Sequence, residues 1–74
     1  MKEYRDAFGE ILNIGDRVCF LLRRNHEYEK YMKGRIDHFT LEYVAIVCEN
    51  NSEMECIMKR PYNVIKYEGT KLSN

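Results

Sequence analysis

The sequence lacks a net charge. Its 12 Lys and Arg are balanced by 12 Asp and Glu, so the molecule as a whole exerts no long-range pull on nucleic acid or anionic lipid. Any such binding has to come from a local patch. Proline is nearly missing as well, with 1 residue against 6 tyrosines and 45% hydrophobic side chains, a balance that excludes a disordered chain. No stretch approaches the roughly 18 apolar residues of a membrane span. The opening "MKEYRDAFGE" has no apolar core of a signal peptide, so the expectation is a cytoplasmic protein without membrane contact. There are 3 cysteines, Cys19, Cys48 and Cys56, and none belongs to a Cys-x-x-Cys pair. They are read as reduced thiols used as small core residues.

What is present is a 74-residue chain, enough for one domain but near the lower limit at which a core forms without metal or disulfides. No apolar 3.6-residue period persists for about a dozen residues, which excludes a long helix. Short runs rich in Val, Ile, Tyr and Phe alternate instead with Gly, Asn and Asp signals, the pattern of an all-β domain.

Along the chain, "DAFG" (6–9) has Asp and Gly at the outer positions of a turn, and "EILNI" follows as a short strand or ribbon. Gly15 and Asp16 then turn the chain into "RVCFLL", where Val18, Phe20 and Leu22 share one face and Cys19 and Leu21 the other. Two apolar faces suit a strand in a curved barrel that is partly covered outside by a loop. That loop is expected at "RRNHEYEKYMKG" (23–34), with Gly34 ending it. The strand "RIDHFT" follows, with Ile36 and His38 on one side, and then "YVAIVCE". Cys48 and Cys56 are symmetric about Ser52, which predicts a hairpin pairing Cys48 with Cys56, Ile46 with Met58 and Val47 with Ile57. Pro61 breaks the strand at a short turn containing Tyr62 and Asn63, before "VIKY" forms the last strand. About five short strands, a long loop after the first main one and a Pro-containing turn before the last predict a small SH3-like β-barrel spanning residues 1–74.

The segments "DAFG", "IGDRVCF", "KGRI", "VAIV" and "RPYNVIKY", in this order, resemble small SH3-like barrel proteins of bacteriophages and bacterial mobile elements. "GDRV" and "KGRI" also resemble the opening of KOW and Tudor-type barrels. The resemblance implies a closed five-stranded fold and no particular activity, since this architecture hosts unrelated functions. Residues 23–34 stand where the KOW motif has a compact loop, and the chain has no tryptophan for a Tudor-type aromatic cage. The resemblance therefore transfers no site.

The candidate binding residues are Arg23, Arg24, Tyr28, Tyr31, Lys33 and Arg35, with Lys30 among them. Basic groups interleaved with aromatics neutralise phosphates and stack on bases, or supply contact area to a protein. Against this, Glu27 and Glu29 cancel part of the field, and Tyr28 and Tyr31 could serve only to pin the loop to the barrel. His26, His38 and the three cysteines have no metal-ligand spacing, so no metal or cofactor is expected. Cys19 and His38 on neighbouring strands lack a third group to orient them, and a barrel this small leaves little room for a cleft. The expectation is a non-enzymatic module binding a protein partner. Binding of RNA or DNA by the basic and aromatic loop is the rival reading, and self-association through a barrel edge is compatible with either.

Overall fold

The computed structural model describes residues 2–24, 28–48 and 56–69, with Arg24 and Tyr28 described by their backbone only. Five strands form one antiparallel sheet: β1 (Arg17–Arg24), β2 (Tyr28–Phe39), β3 (Val44–Cys48), β4 (Cys56–Lys59) and β5 (Val64–Glu68). Their order across the sheet is β4-β3-β2-β1-β5. The described residues contain no α-helix, and a 3₁₀ turn at Pro61–Asn63 joins β4 to β5. The all-β expectation, the strand count and the Pro-containing turn all hold.

The sheet curls without closing its hydrogen-bond ladder. Inward residues of all five strands build the core: Val18 and Phe20 of β1, Ile36 of β2, Val44, Ile46 and Cys48 of β3 and Val64 of β5 are buried. Ile57 of β4 packs against them. Burying each large aliphatic side chain contributes roughly 1.5–3 kcal/mol, so this one face carries most of the folding energy. Lys59, on edge strand β4, reaches across to β1, where its Nζ donates to the Leu21 carbonyl at 2.7 Å and lies 5.8 Å from the Phe20 ring centroid. A side chain thus spans the seam that a closed barrel would seal with backbone pairs.

The other edge is covered from the N-terminus. Arg5 and Ile11 form a single β-bridge around the turn predicted at "DAFG", where Gly9 at φ 86° donates to the Asp6 carbonyl at 3.0 Å. The remainder of "EILNI" is not a strand. Ala7 N–H donates to the Val64 carbonyl at 2.9 Å, and the Asp6 carboxylate accepts the Lys66 N–H at 2.8 Å. A main-chain donor and a carboxylate thereby occupy part of the outer edge of β5, which limits unwanted strand pairing there. Gly15, at φ 92°, makes the predicted turn into β1.

Three expectations need correction. Most of the loop expected at 23–34 is strand: β1 pairs with β2 without interruption from Arg17↔Arg35 to Arg24↔Tyr28, so only residues 25–27, outside the described residues, connect them. Charged and aromatic cross-strand pairs stabilise a ladder that a search for apolar alternation does not detect. Second, β3 and β4 pair as Val47↔Cys56, Ile46↔Ile57, Ala45↔Met58 and Val44↔Lys59, one residue out of the predicted register. Cys48 and Cys56 therefore do not face one another: Cys48 is buried and Cys56 is exposed. A one-residue slip exchanges the two faces of a strand, and here burial of Ile57 beside Ile46 decides the register. Third, a bulge between Ile36 and His38 breaks the alternation of β2. It turns His38 outward, where Nδ1 lies 2.7 Å from Asp37 Oδ2, and brings Phe39 inward to stack on Tyr4 at 4.4 Å. Cys19 pairs with Lys33, so it lies well away from His38.

Candidate binding face on the β1–β2 arm

The two long strands form an arm whose faces differ in chemistry. On the inner face, Val18, Phe20 and Leu22 lie beside Gly34, Met32 and Lys30, and the sequence folds this way because each apolar residue of β1 is two positions from the next. Gly34 is required at its position: a Cβ there would stand 2.5 Å from Ile46 Cγ2 and 2.6 Å from the Val47 carbonyl oxygen. The outer face follows the odd-numbered positions of both strands. Its rungs are Arg17↔Arg35, Cys19↔Lys33, Leu21↔Tyr31 and Arg23↔Glu29.

The structure therefore brings Arg23, Tyr31, Lys33 and Arg35 onto one face. Arg24 and Tyr28 form the last backbone pair of the arm, one step along the pleat from Arg23↔Glu29. Lys30 belongs to the opposite parity, beside Leu22. Tyr31 is 75% exposed, so it does not pin the arm to the core. Lys33 Nζ lies 5.5 Å from the centroid of the Tyr67 ring on β5, a cation–π contact across the face. Arg23 Nε and Glu29 Oε1 are 3.2 Å apart in an exposed pair, of a type that contributes little stability. His26 and Glu27, and Glu53 and Glu55 of the β3–β4 connection, lie outside the described residues.

Arg17 and Tyr67 were missed in the sequence. Arg17 lies before the apolar run of β1, and its placement opposite Arg35 follows only from the strand register. Tyr67 was read as an ordinary strand residue, and only the β1–β5 pairing, in which Cys19 meets Ile65, brings it to this face. Parity was the one available signal, since Arg17, Cys19, Leu21 and Arg23 alternate with the core residues of β1.

The buried carboxylates are used elsewhere, for structure. Asp6 Oδ1 accepts the Phe8 and Glu10 N–H groups at 2.9 and 2.8 Å, and Oδ2 accepts that of Lys66 at 2.8 Å. Burial raises the Asp6 pKa, but these three backbone bonds and the Lys66 charge outweigh it and hold the carboxyl below its ordinary range. Asp16 Oδ2 accepts the Asn13 N–H at 2.8 Å and lies 3.1 Å from Lys66 Nζ, which also donates to the Ile11 carbonyl at 3.0 Å. Lys66 thus ties the ribbon, the turn before β1 and β5 together.

Shallow clefts lie among the described residues, and two bear on the arm and the N-terminal ribbon. One, of about 350 Å³, is bounded by Lys2, Tyr4, Arg60 and Tyr62, with Arg60 stacked 5.0 Å from the Tyr43 ring centroid. The other, of about 370 Å³, is the seam itself, lined by Leu21, Arg23, Lys59 and Asn63. Among the described residues no three His, Cys, Asp or Glu side chains come together as a metal site, and no helix is long and apolar enough to cross a membrane.

Neither the curated proteins nor the solved structures contain a match to this chain. A family model matches residues 4–71, nearly the whole of it, and the chain thus belongs to the family described as a domain of unknown function, DUF7205.

Proposed function

We propose that this domain is a non-enzymatic binding module that engages a protein partner through the outer face of its β1–β2 arm. The observation that carries the reading is Tyr31: a tyrosine 75% exposed on a paired strand, beside Leu21 and between Arg23 and Lys33. An aromatic ring on a rigid element supplies contact area at low entropy cost, and charges of both signs on the neighbouring rungs, Arg23, Glu29 and Lys33, suit a polar rim. The buried carboxylates Asp6 and Asp16 are taken up by backbone donors and Lys66, in keeping with a non-catalytic role. The resemblance to phage-encoded barrels fits a partner of host or phage origin in the cytoplasm.

Nucleic-acid binding is the second reading, favoured by the rung Arg17↔Arg35 next to Lys33 and the Tyr67 ring. An affinity pull-down from a host lysate, repeated with the Tyr31→Ala and Arg35→Ala variants, separates the two. For a protein partner, Tyr31→Ala costs more than about 1 kcal/mol of binding while changing stability by no more than about 0.5 kcal/mol. For nucleic acid, Arg35→Ala weakens binding to all sequences and flattens its salt dependence. Undiminished capture by both variants refutes the arm as the binding face.

A further inference from the structure

The β1–β5 ladder stops halfway along β1. All eight residues of β1 pair with β2, yet β5 covers only Arg17 to Phe20, ending at Phe20↔Val64. The cause is local. Asn63, the next residue in the direction of the ladder, is held in the 3₁₀ turn with its N–H on the Arg60 carbonyl at 2.9 Å. It lines the seam instead of pairing with Leu21.

The direction of the free backbone groups follows from the Lys59 contact. Because Lys59 Nζ bonds the Leu21 carbonyl from the seam side, Leu21 directs its backbone away from β2. In an antiparallel strand the N–H and C=O of one residue point to the same edge and alternate along the chain. Arg23 therefore also directs its N–H and C=O into the seam, while Leu22 and Arg24 direct theirs to β2. Among the described residues this leaves a strand edge without a partner strand, in a groove of about 370 Å³, flanked by the side chains of Arg23 and Lys59.

We propose that the β1 edge from Leu21 to Arg24 accepts an extended, acidic segment of a partner protein by strand addition, continuing the ladder that β5 leaves unfinished. Main-chain bonds to Leu21 and Arg23 supply affinity, and side chains of alternate peptide residues supply selectivity. The acidic character follows from charge. Arg23 and Lys59 both border the groove, and Lys59, with one of its three donors on Leu21, has donors left for a carboxylate. The Arg23–Glu29 pair is exposed on both sides and exchanges for a peptide carboxylate at little cost. A second copy of this chain fits less well, because pairing this edge with itself would bring two Arg23 and two Lys59 side chains together. The proposal rests on the reading of this domain as a protein-binding module and adds to the Tyr31 face a second contact, the backbone edge of the same strand.

The test is titration of the isotope-labelled full chain with a twelve-residue peptide of alternating Glu and Val, followed by NMR. Binding should shift the Leu21 and Arg23 amides and slow their hydrogen exchange. Arg23→Pro removes the seam-side donor together with the guanidinium, leaves the bonds of Leu22 and Arg24 to β2 in place, and should weaken binding at least tenfold with the spectrum still dispersed. Arg23→Glu keeps the donor, reverses the charge and should weaken binding by a similar factor should proline disturb the arm. Leu41→Ala, exposed in the connection between β2 and β3 at the far end of β2, should leave this binding unchanged, and capture by Tyr31→Ala in the pull-down above tests the outer face independently of the edge. Equal binding of a Lys and Val peptide, or shifts confined to Tyr31, Lys33 and Arg35, would overturn the proposal. So would tighter, salt-dependent binding of an oligothymidylate at these amides, which would replace the partner class. Concentration-dependent protection of Leu21 and Arg23 in the free protein would assign the edge to a second copy.

Discussion

Asp6→Ala and Asp6→Asn test how the N-terminal ribbon is held to the sheet. The carboxylate accepts two turn N–H groups on Oδ1 and the β5 Lys66 N–H on Oδ2. The Lys66 amide, in a half-buried residue, has the most to lose. An orphaned buried donor costs about 1–3 kcal/mol, and the two turn donors, whose residues are exposed, recover water and cost roughly 0.5–1 kcal/mol each. Asp6→Ala should therefore lose about 3 kcal/mol. A domain of this size has a total stability of roughly 4–11 kcal/mol, so the loss is a large fraction of it. Asp6→Asn keeps an oxygen for the turn but places an amide donor against the Lys66 N–H, and should lose about 1–3 kcal/mol.

The two variants also differ from the wild type in acid. The folded Asp6 pKa lies below its ordinary value of 3.8. Between the folded and unfolded pKa values the unfolded chain binds the extra proton, so this contribution is fully present above about 3.8 and is lost as the pH falls through the folded pKa. Urea unfolding followed by far-ultraviolet circular dichroism at pH 6 and pH 3 measures both effects. Wild type should lose more stability between these two pH values than Asp6→Asn. Variants within about 0.5 kcal/mol of wild type, or parallel acid limbs, would show that the Asp6 network does not hold the edge of β5.

Gly34→Ala should destabilise the domain by about 2 kcal/mol or more in the same urea assay, because the added Cβ meets the Val47 backbone, which cannot rotate away. Under native conditions a thiol reagent should modify exposed Cys56 first and buried Cys48 only as the domain opens, and a reducing agent should not change the melting temperature, since no disulfide joins the two. Equal rates at Cys48 and Cys56 would contradict the register of β3 and β4.

Turns and strand faces were legible in the sequence because both are set by neighbouring residues. "DAFG", Gly15 and Pro61 act through their own backbone geometry and bonds within a few residues, and all three turns stand where the sequence puts them. The inward face of β1, Val18, Phe20 and Leu22, follows from a period of two, and so does the grouping of Arg23, Tyr31, Lys33 and Arg35 once they are known to be strand residues. That last condition was not legible. Arg23 to Lys33 are polar, and their extended conformation depends on partners such as Glu29 for Arg23 and Leu21 for Tyr31, a pairing energy absent from either segment alone. The β3–β4 register was decided by packing of Ile57 beside Ile46, because the symmetry of two cysteines constrains only a ladder whose loop length is already known. The bulge at Asp37 was also a tertiary outcome, bringing Phe39 to Tyr4 from the far end of the chain. So was the seam. Strand propensity ends at the ladder, whereas the curl of the whole sheet brought Lys59 to Leu21 and left the rest of the β1 edge without a partner strand among the described residues.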